Sequence, residues 1–196
     1  MSTARSLMRE EGVGALNLSE VARRMGMRTP SLYTYFDSKH ALYDALFREG
    51  WRAYRERFRA LTERHGSGFG AIEAAIEDYM RFADENPDLY ALMFERPVPG
   101  FAPSADSMAD AAALLDELNT AMRAMIDSGA VHSRLGARET SDLFLAVMHG
   151  LTALKRANEP DAPIGAGRFG SLVPAAAQLL RDAWQPNDDR SSGGRS

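Results

Sequence analysis

The chain has 196 residues, 45% of them hydrophobic, which is enough for one or two small helical domains with a buried core. It has no cysteine, which excludes disulfides and thiolate catalysis and suits a cytoplasmic protein. The formal charge of -4 is uneven: residues 1–65 hold 12 Lys and Arg against 8 Asp and Glu, and residues 66–196 hold 11 against 19. A basic head on an acidic body suits a protein that offers one end to phosphate.

Ala4, Leu7 and Met8 make a short amphipathic stretch that ends at Gly12. The residues from Asn17 to Lys39 carry more information. Asn17 is a good helix N-cap, with Glu20 three residues later to complete a capping box. Val21, Ala22 and Met25 share a face, and Gly26 falls where a left-handed helix C-terminus is expected. Met27 plugs the core from the turn. Thr29 then caps a second short helix with Pro30 at its first position, and Leu32 and Phe36 face inward. Arg28, Thr29, Ser31, Tyr33, Thr34 and Tyr35 are left on the outer side. Two short helices joined by a Gly-containing turn are the pattern of a DNA-binding helix-turn-helix.

Asp37 and Ser38 cap a long third helix through about Arg64, whose Tyr43, Phe47, Trp51, Tyr54 and Phe58 form a helical stripe. Gly66-Ser67-Gly68 ends it. Phe69 to Asn86 is the next helix, with Ile72, Ile76, Tyr79, Met80 and Ala83 inward, and Pro87 opens a short helix through Phe94. Pro97 to Pro103 is a loop. Ser104 or Asp106 caps a helix that runs to Ser128-Gly129, with Met108, Ala111, Leu115, Leu118, Met122 and Met125 as its apolar positions. Further helices span Thr140 to Ala157, including Leu143, Phe144, Val147, Met148, Leu151 and Leu154, and Phe169 to Trp184. Pro186 stops the last one, and residues 186–196 read as a disordered polar tail. No strand pattern or internal repeat is visible, so the fold class is all-α. No apolar run has the length of a membrane span, and no signal peptide is visible.

The run Leu18-Ser19-Glu20-Val21-Ala22, Met25-Gly26-Met27, Ser31-Leu32-Tyr33-Thr34-Tyr35-Phe36, Ser38-Lys39 and Leu42 resembles the DNA-binding domain of the TetR family of transcriptional regulators, of the AcrR-like kind. The resemblance implies a three-helix helix-turn-helix head at residues 1–47 and a helical effector-binding and dimerisation domain at 48–185. Arg28, Ser31, Tyr33 and Thr34 are the expected base-edge or thymine-methyl contacts. Asn17, Ser19, Thr29, Tyr35 and Lys39 are the expected phosphate contacts, with Pro30 at the same surface. By position, helices 140–157 and 169–184 match the family's homodimer pair, and a two-fold dimer reads an inverted-repeat operator in double-stranded DNA. The implied output is repression, relieved by a small apolar or amphipathic effector. Family members usually carry more residues ahead of the first helix, which implies a weaker head without a basic arm.

Within the body, Met148-His149-Gly150 resembles a Trp-His-Gly signature of one TetR subgroup, with Met in place of Trp. Gly150 lets another helix approach closely. His149 reads equally as a bonded core histidine or as a ligand contact. Tyr79, Met80, Phe94, Phe101, Met108, Met122, Phe144, Met148 and His149 are the candidate effector contacts, with the loop at Phe101 as lid or entrance. Gly165-Ala166-Gly167-Arg168-Phe169-Gly170 has the spacing of a dinucleotide loop, but no strand precedes it, so it reads as a flexible connection. The four histidines lack ligand-type partners at i+4, and no nucleophile or paired-carboxylate constellation is visible. Neither a cofactor, a metal nor an enzymatic activity is expected. Two other classes stay open: a ligand-binding or protein-interaction module whose head no longer grips DNA, and an enzyme on a helical scaffold.

Overall fold

The computed structural model describes residues 1–66 and 69–185, and every regular element among them is helical. In chain order these are α1 (Ser2–Glu11), a 3-10 turn (Val13–Ala15), α2 (Leu18–Arg24), α3 (Thr29–Tyr33), α4 (Lys39–His65), α5 (Phe69–Glu85), α6 (Pro87–Tyr90), a π-helical turn (Ala91–Glu95), α7 (Ala105–Asp127), α8 (Ala137–Asn158), α9 (Gly167–Gly170) and α10 (Val173–Trp184). The tail at 186–196 and the Ser67-Gly68 break lie outside the described residues. No helix among the described residues is long and apolar enough to cross a membrane.

Contacts divide the chain into two compact units. One comprises Met1–Phe58 and Arg81–Leu115, the other Arg59–Met80 and the residues from Asp116 onward. In the first, Ala4, Leu7 and Met8 of α1 are buried together with Leu16, Leu18, Val21, Ala22, Leu32, Leu42 and Leu46. The aromatic stripe of α4 lies in the same unit, where Tyr43, Phe47 and Tyr54 are buried and Trp51 stacks edge-on against Phe94 at 5.3 Å. Gly50 permits a close approach: a Cβ there would lie 2.5 Å from Met93 Sδ on the π turn. In the second unit, Ile72, Ile76, Tyr79 and Met80 of α5 are buried, as are Met122 and Met125 of α7, Phe144 and Met148 of α8, and Val173, Ala177, Leu180 and Trp184 of α10.

Several expectations are corrected. Met25 is the C-cap residue of α2 and stands 46% exposed, because the chain leaves the helix there. Met108 and Leu115 of α7, and Leu143 and Leu154 of α8, are likewise exposed. The last helix does not start at Phe169. Pro174 cannot donate to the carbonyl of Gly170, so one short turn closes at Gly170 and a new helix opens at Val173 with proline in its first turn. The segment after Pro87 is helical as expected, but its second half widens to a π turn that ends on Arg96 in the left-handed region.

Candidate functional site

The Asn17 side chain accepts the Glu20 N–H at 2.7 Å, which caps α2 and leaves the amide nitrogen of Asn17 to donate elsewhere. The reciprocal half of the expected capping box is not what Glu20 supplies. Its carboxylate is bound by Arg23 (2.6 and 2.7 Å) and Arg24 (2.8 Å), and these hydrogen bonds, the Arg23 ones foremost, hold its carboxyl down at about 2. Arg24 reaches on to Glu10 and Glu11 of α1, so its charge is spent on tying α1 to α2. The C-terminus of α2 is a two-bond left-handed closure. Met27 N–H bonds Ala22 O at 2.9 Å, Gly26 N–H bonds Arg23 O at 3.1 Å, and Gly26 has φ +67°.

That closure aims α3. The helix begins one residue earlier than its sequence suggests: Arg28 occupies the cap position, Thr29 makes no capping bond, and Pro30 lies within the first turn. Leu32 anchors α3 at 4% exposure, while Arg28, Pro30, Ser31, Tyr33 and Thr34 are exposed and Thr29 is half-buried. Tyr35, just past the helix, is 73% exposed. Ser38 accepts the Ala41 N–H at 3.1 Å and so starts α4. Asn17 and Ser19 are exposed at the start of α2. The structure thus brings the expected DNA contacts into neighbouring segments of one small unit, with the polar groups outward. Lys39 is the exception. Its Nζ donates to Gly14 O at 3.0 Å and sits 5.4 Å above the Tyr43 ring. Beside it, the Tyr43 hydroxyl donates to Val13 O at 2.5 Å, and burial pushes that phenol up to about 12.

The nine candidate effector residues fall in both units. Tyr79, Met80, Met122, Phe144 and Met148 are buried in the second unit, together with half-buried His149. There the Tyr79 hydroxyl and His149 Nδ1 share a 2.8 Å hydrogen bond. Phe94, Phe101 and Met108 belong to the first unit. Phe94 packs on Trp51 and Tyr90, Phe101 lies 5.6 Å from Tyr43 and 6.0 Å from His40, and Met108 is 49% exposed. The loop that carries Phe101 ends at Ser104, which is fastened to α4: Asp44 accepts the Ser104 N–H (2.7 Å) and the hydroxyls of Ser104 and Ser107 (2.8 Å each).

The glycine-rich segment at 165–170 is fastened by the chain itself. Glu159 accepts the Arg168 N–H at 2.7 and 2.9 Å and the Phe169 N–H at 3.3 Å, so the amides a pyrophosphate would need are bonded to a carboxylate. Among the described residues, no group of three or more His, Asp or Glu could hold a metal ion.

One cluster joins α1 to the start of α6 across some eighty positions of sequence. Asp88, in the first turn of α6, has a fully buried side chain bound by Arg5 (Nε, 2.7 Å) and Arg9 (Nε, 2.8 Å) of α1. Burial alone would raise its carboxyl, but the Arg5 and Arg9 hydrogen bonds prevail and hold it below the usual carboxylate range. The only sequence signal was a pair of arginines at i, i+4 on α1, a spacing that usually marks a solvated face.

The architecture, then, is that of a helix-turn-helix DNA-binding protein with a helical body. Residues 1–46 match the family described as bacterial regulatory proteins, tetR family, and residues 72–169, half of the chain, match the tetracyclin repressor-like C-terminal domain. The chain belongs to the TetR family. Members of that family are transcriptional regulators that bind DNA, respond to small molecules and are typically dimers. Over 91 residues, 46% of the chain, it is 29% identical to an uncharacterized HTH-type transcriptional regulator, YobS, from Bacillus subtilis. The match covers 47% of that protein, so the chain spans about half the length of the curated relatives it matches. Among solved structures, a protein of unknown function from Rhodococcus sp. RHA1 superposes with a TM-score of 0.80 at 21% identity, over 94% of this chain and 93% of that one. The transcriptional regulator FadR from Bacillus subtilis, in complex with stearoyl-CoA, superposes with a TM-score of 0.72 at 16% identity, over 93% and 96%. At these identities the likeness concerns the fold alone.

Proposed function

We propose that this chain is a homodimeric, ligand-released repressor that reads an inverted-repeat operator with α3. The observation that carries the reading is the surface of α3 and its flanks. Arg28, Ser31, Tyr33, Thr34 and Tyr35 are exposed around a single buried anchor, Leu32, and the guanidinium of Arg28 makes no ion pair among the described residues. Arg28, Ser31, Tyr33 and Thr34 meet base edges and thymine methyls, while Asn17, Ser19, Thr29, Pro30 and Tyr35 lie along the phosphates. Lys39 joins the phosphate contacts from its place beside Gly14.

The dimer forms through α8 and α10. Leu143, Val147, Gly150 and Leu154 follow one another at i, i+4, i+7 and i+11 on α8, with Leu143 and Leu154 exposed, and Leu172 and Leu179 are exposed around α10. A Cβ built on Gly150 meets nothing within 4 Å, which leaves this position open to a second copy of α8.

The effector is a small apolar or amphipathic molecule. Tyr79 and His149 offer it polar groups among Met80, Met122, Phe144 and Met148, and flexible Met side chains adapt to its shape. It binds best to a body conformation that spaces the two heads wrongly for the operator, so ligand and DNA weaken each other reciprocally. The relative solved with stearoyl-CoA makes long-chain acyl compounds sensible first probes. The location is the cytoplasm, where the operator is.

The test is capture of fragmented genomic DNA by the purified protein at low and moderate salt, followed by sequencing. Enrichment of an inverted repeat supports the reading. Binding that is uniform over fragments and vanishes with salt leaves only the electrostatic term and refutes it.

A further inference from the structure

We propose that Asp88 is a positioning residue for DNA binding: clasped by Arg5 and Arg9, it sets the placement of α1, and hence of the reading head, against the α5–α6 corner. This rests on the DNA-binding reading above. Arg5 donates from Nε to one carboxylate oxygen of Asp88 (2.7 Å) and from Nη2 to the other (3.3 Å), and Arg9 Nε donates to that second oxygen (2.8 Å). Both arginines hold the corner a second time. Arg5 Nη2 donates to Asn86 Oδ1 at 2.8 Å, and Arg9 Nη2 to the Glu85 carbonyl at 3.1 Å. Arg5 also reaches Glu49 of α4 at 3.3 Å. One helix of the head is thus gripped at two positions, one turn apart, by three groups of the corner within four residues: the Glu85 main-chain carbonyl, the Asn86 amide and the buried Asp88 carboxylate.

A buried carboxylate held by a partly exposed Arg5 and an exposed Arg9 is a poor device for stability, since apolar side chains of the same volume often do as well or better. What it supplies is direction. Paired charge-assisted bonds hold two elements at one distance and angle, where an apolar contact tolerates sliding. The held element matters for reading DNA because α1 is in turn tied to α2 through Arg24, Glu10 and Glu11, and α2 aims α3 through the closure at Gly26. An error in the placement of α1 is therefore passed to Tyr33 and its neighbours, and in a dimer both heads must match the operator spacing at once.

The experiment uses the full chain and a random-sequence duplex library, from which the wild type selects its preferred duplex. Asp88→Asn, Asp88→Glu and the triple variant Arg5→Met/Arg9→Met/Asp88→Leu are then compared on that duplex, at a temperature where each is folded. Asp88→Asn is expected to bind about tenfold more weakly, within the ordinary range of coupling between sites, and Asp88→Glu to recover most of the loss. The triple variant is expected to regain the wild-type melting temperature but not the DNA affinity. That split separates positioning from stability, and it survives a failure of Asp88→Asn to fold. Wild-type affinity in folded Asp88→Asn or in the triple variant overturns the proposal. Should the wild type select no duplex, the sequence-specific reading has failed, and amide exchange decides for Asp88 alone. Faster exchange across Leu18–Tyr33 in the folded triple variant supports positioning, and exchange altered only in α1 overturns it.

Discussion

Gly150 offers a test in which the protomer and the proposed dimer predict opposite outcomes. The residue lies inside the 22-residue helix α8, where glycine costs about 0.5–1 kcal/mol relative to alanine. A Cβ added there has no neighbour within 4 Å, so inside one protomer nothing opposes the gain. If the protomer were all that mattered, Gly150→Ala would raise the melting temperature by about 1–4 °C, at the usual shift of about 2–4 °C per kcal/mol for this chain length. A larger Gly150→Phe would also fold. The dimer reading predicts more. Two α8 helices that cross at Gly150 approach more closely than side chains normally allow, and a phenyl ring forced into that crossing costs about 1–3 kcal/mol. The two-fold axis presents the ring from both copies, so the dimerisation constant should fall at least about tenfold. Sedimentation equilibrium of the wild type, Gly150→Ala and Gly150→Phe measures this directly, with circular dichroism to show that each is folded. A Gly150→Phe variant that dimerises as tightly as the wild type would refute the reasoning. Gly50 is the internal contrast: it too lies inside a helix, but a Cβ there would lie 2.5 Å from Met93 Sδ and 3.2 Å from its Cγ, so Gly50→Ala should offset or reverse the alanine gain within the protomer itself.

Three further outcomes are expected. Gly26→Ala meets no atom within 4 Å, so it should cost only the left-handed backbone penalty of about 1–2 kcal/mol, and Gly26→Asn less, by urea unfolding; equal costs would show that the turn is not what is strained. The carboxyl of Asp88 titrates below its ordinary value in the folded chain, so its contribution is present above the unfolded value near 3.8 and is lost as pH falls through the lower folded value. The acid-induced fall in stability should therefore be shallower in Asp88→Asn, whose stability is already reduced at neutral pH, and an unchanged acid slope would remove Asp88 from the account. On a selected duplex, Tyr33→Ala should cost about 1–3 kcal/mol and blur specificity, whereas Lys39→Ala should weaken all sequences and lower the salt slope by about one unit. A change of sequence preference alone in Lys39→Ala would contradict its place on phosphate.

Local chemistry made the head legible from residue types and spacing. Asn17 caps, Gly26 is the residue that tolerates φ +67°, Pro30 opens a helix and Ser38 starts α4, and each acts within a few residues of itself. Hydrophobic period placed α5 and the buried face of α8 for the same reason. It failed at Met108, Leu115, Leu143 and Leu154, because period identifies an apolar position without stating whether its own protomer covers it. Glu20 looked like half of a capping box, and two arginines on the next turn outbid the Asn17 N–H for its carboxylate. The remaining features join residues far apart in the chain, and no local pattern encodes such a meeting. Asp88 lies 83 positions from Arg5, Tyr79 lies 70 from His149, and Asp44 lies 60 from Ser104. Those pairings, and the division of the candidate effector residues between two units, arise from how the helices pack. Burial makes a carboxylate expensive unless distant cations reach it, and only the folded chain shows that they do.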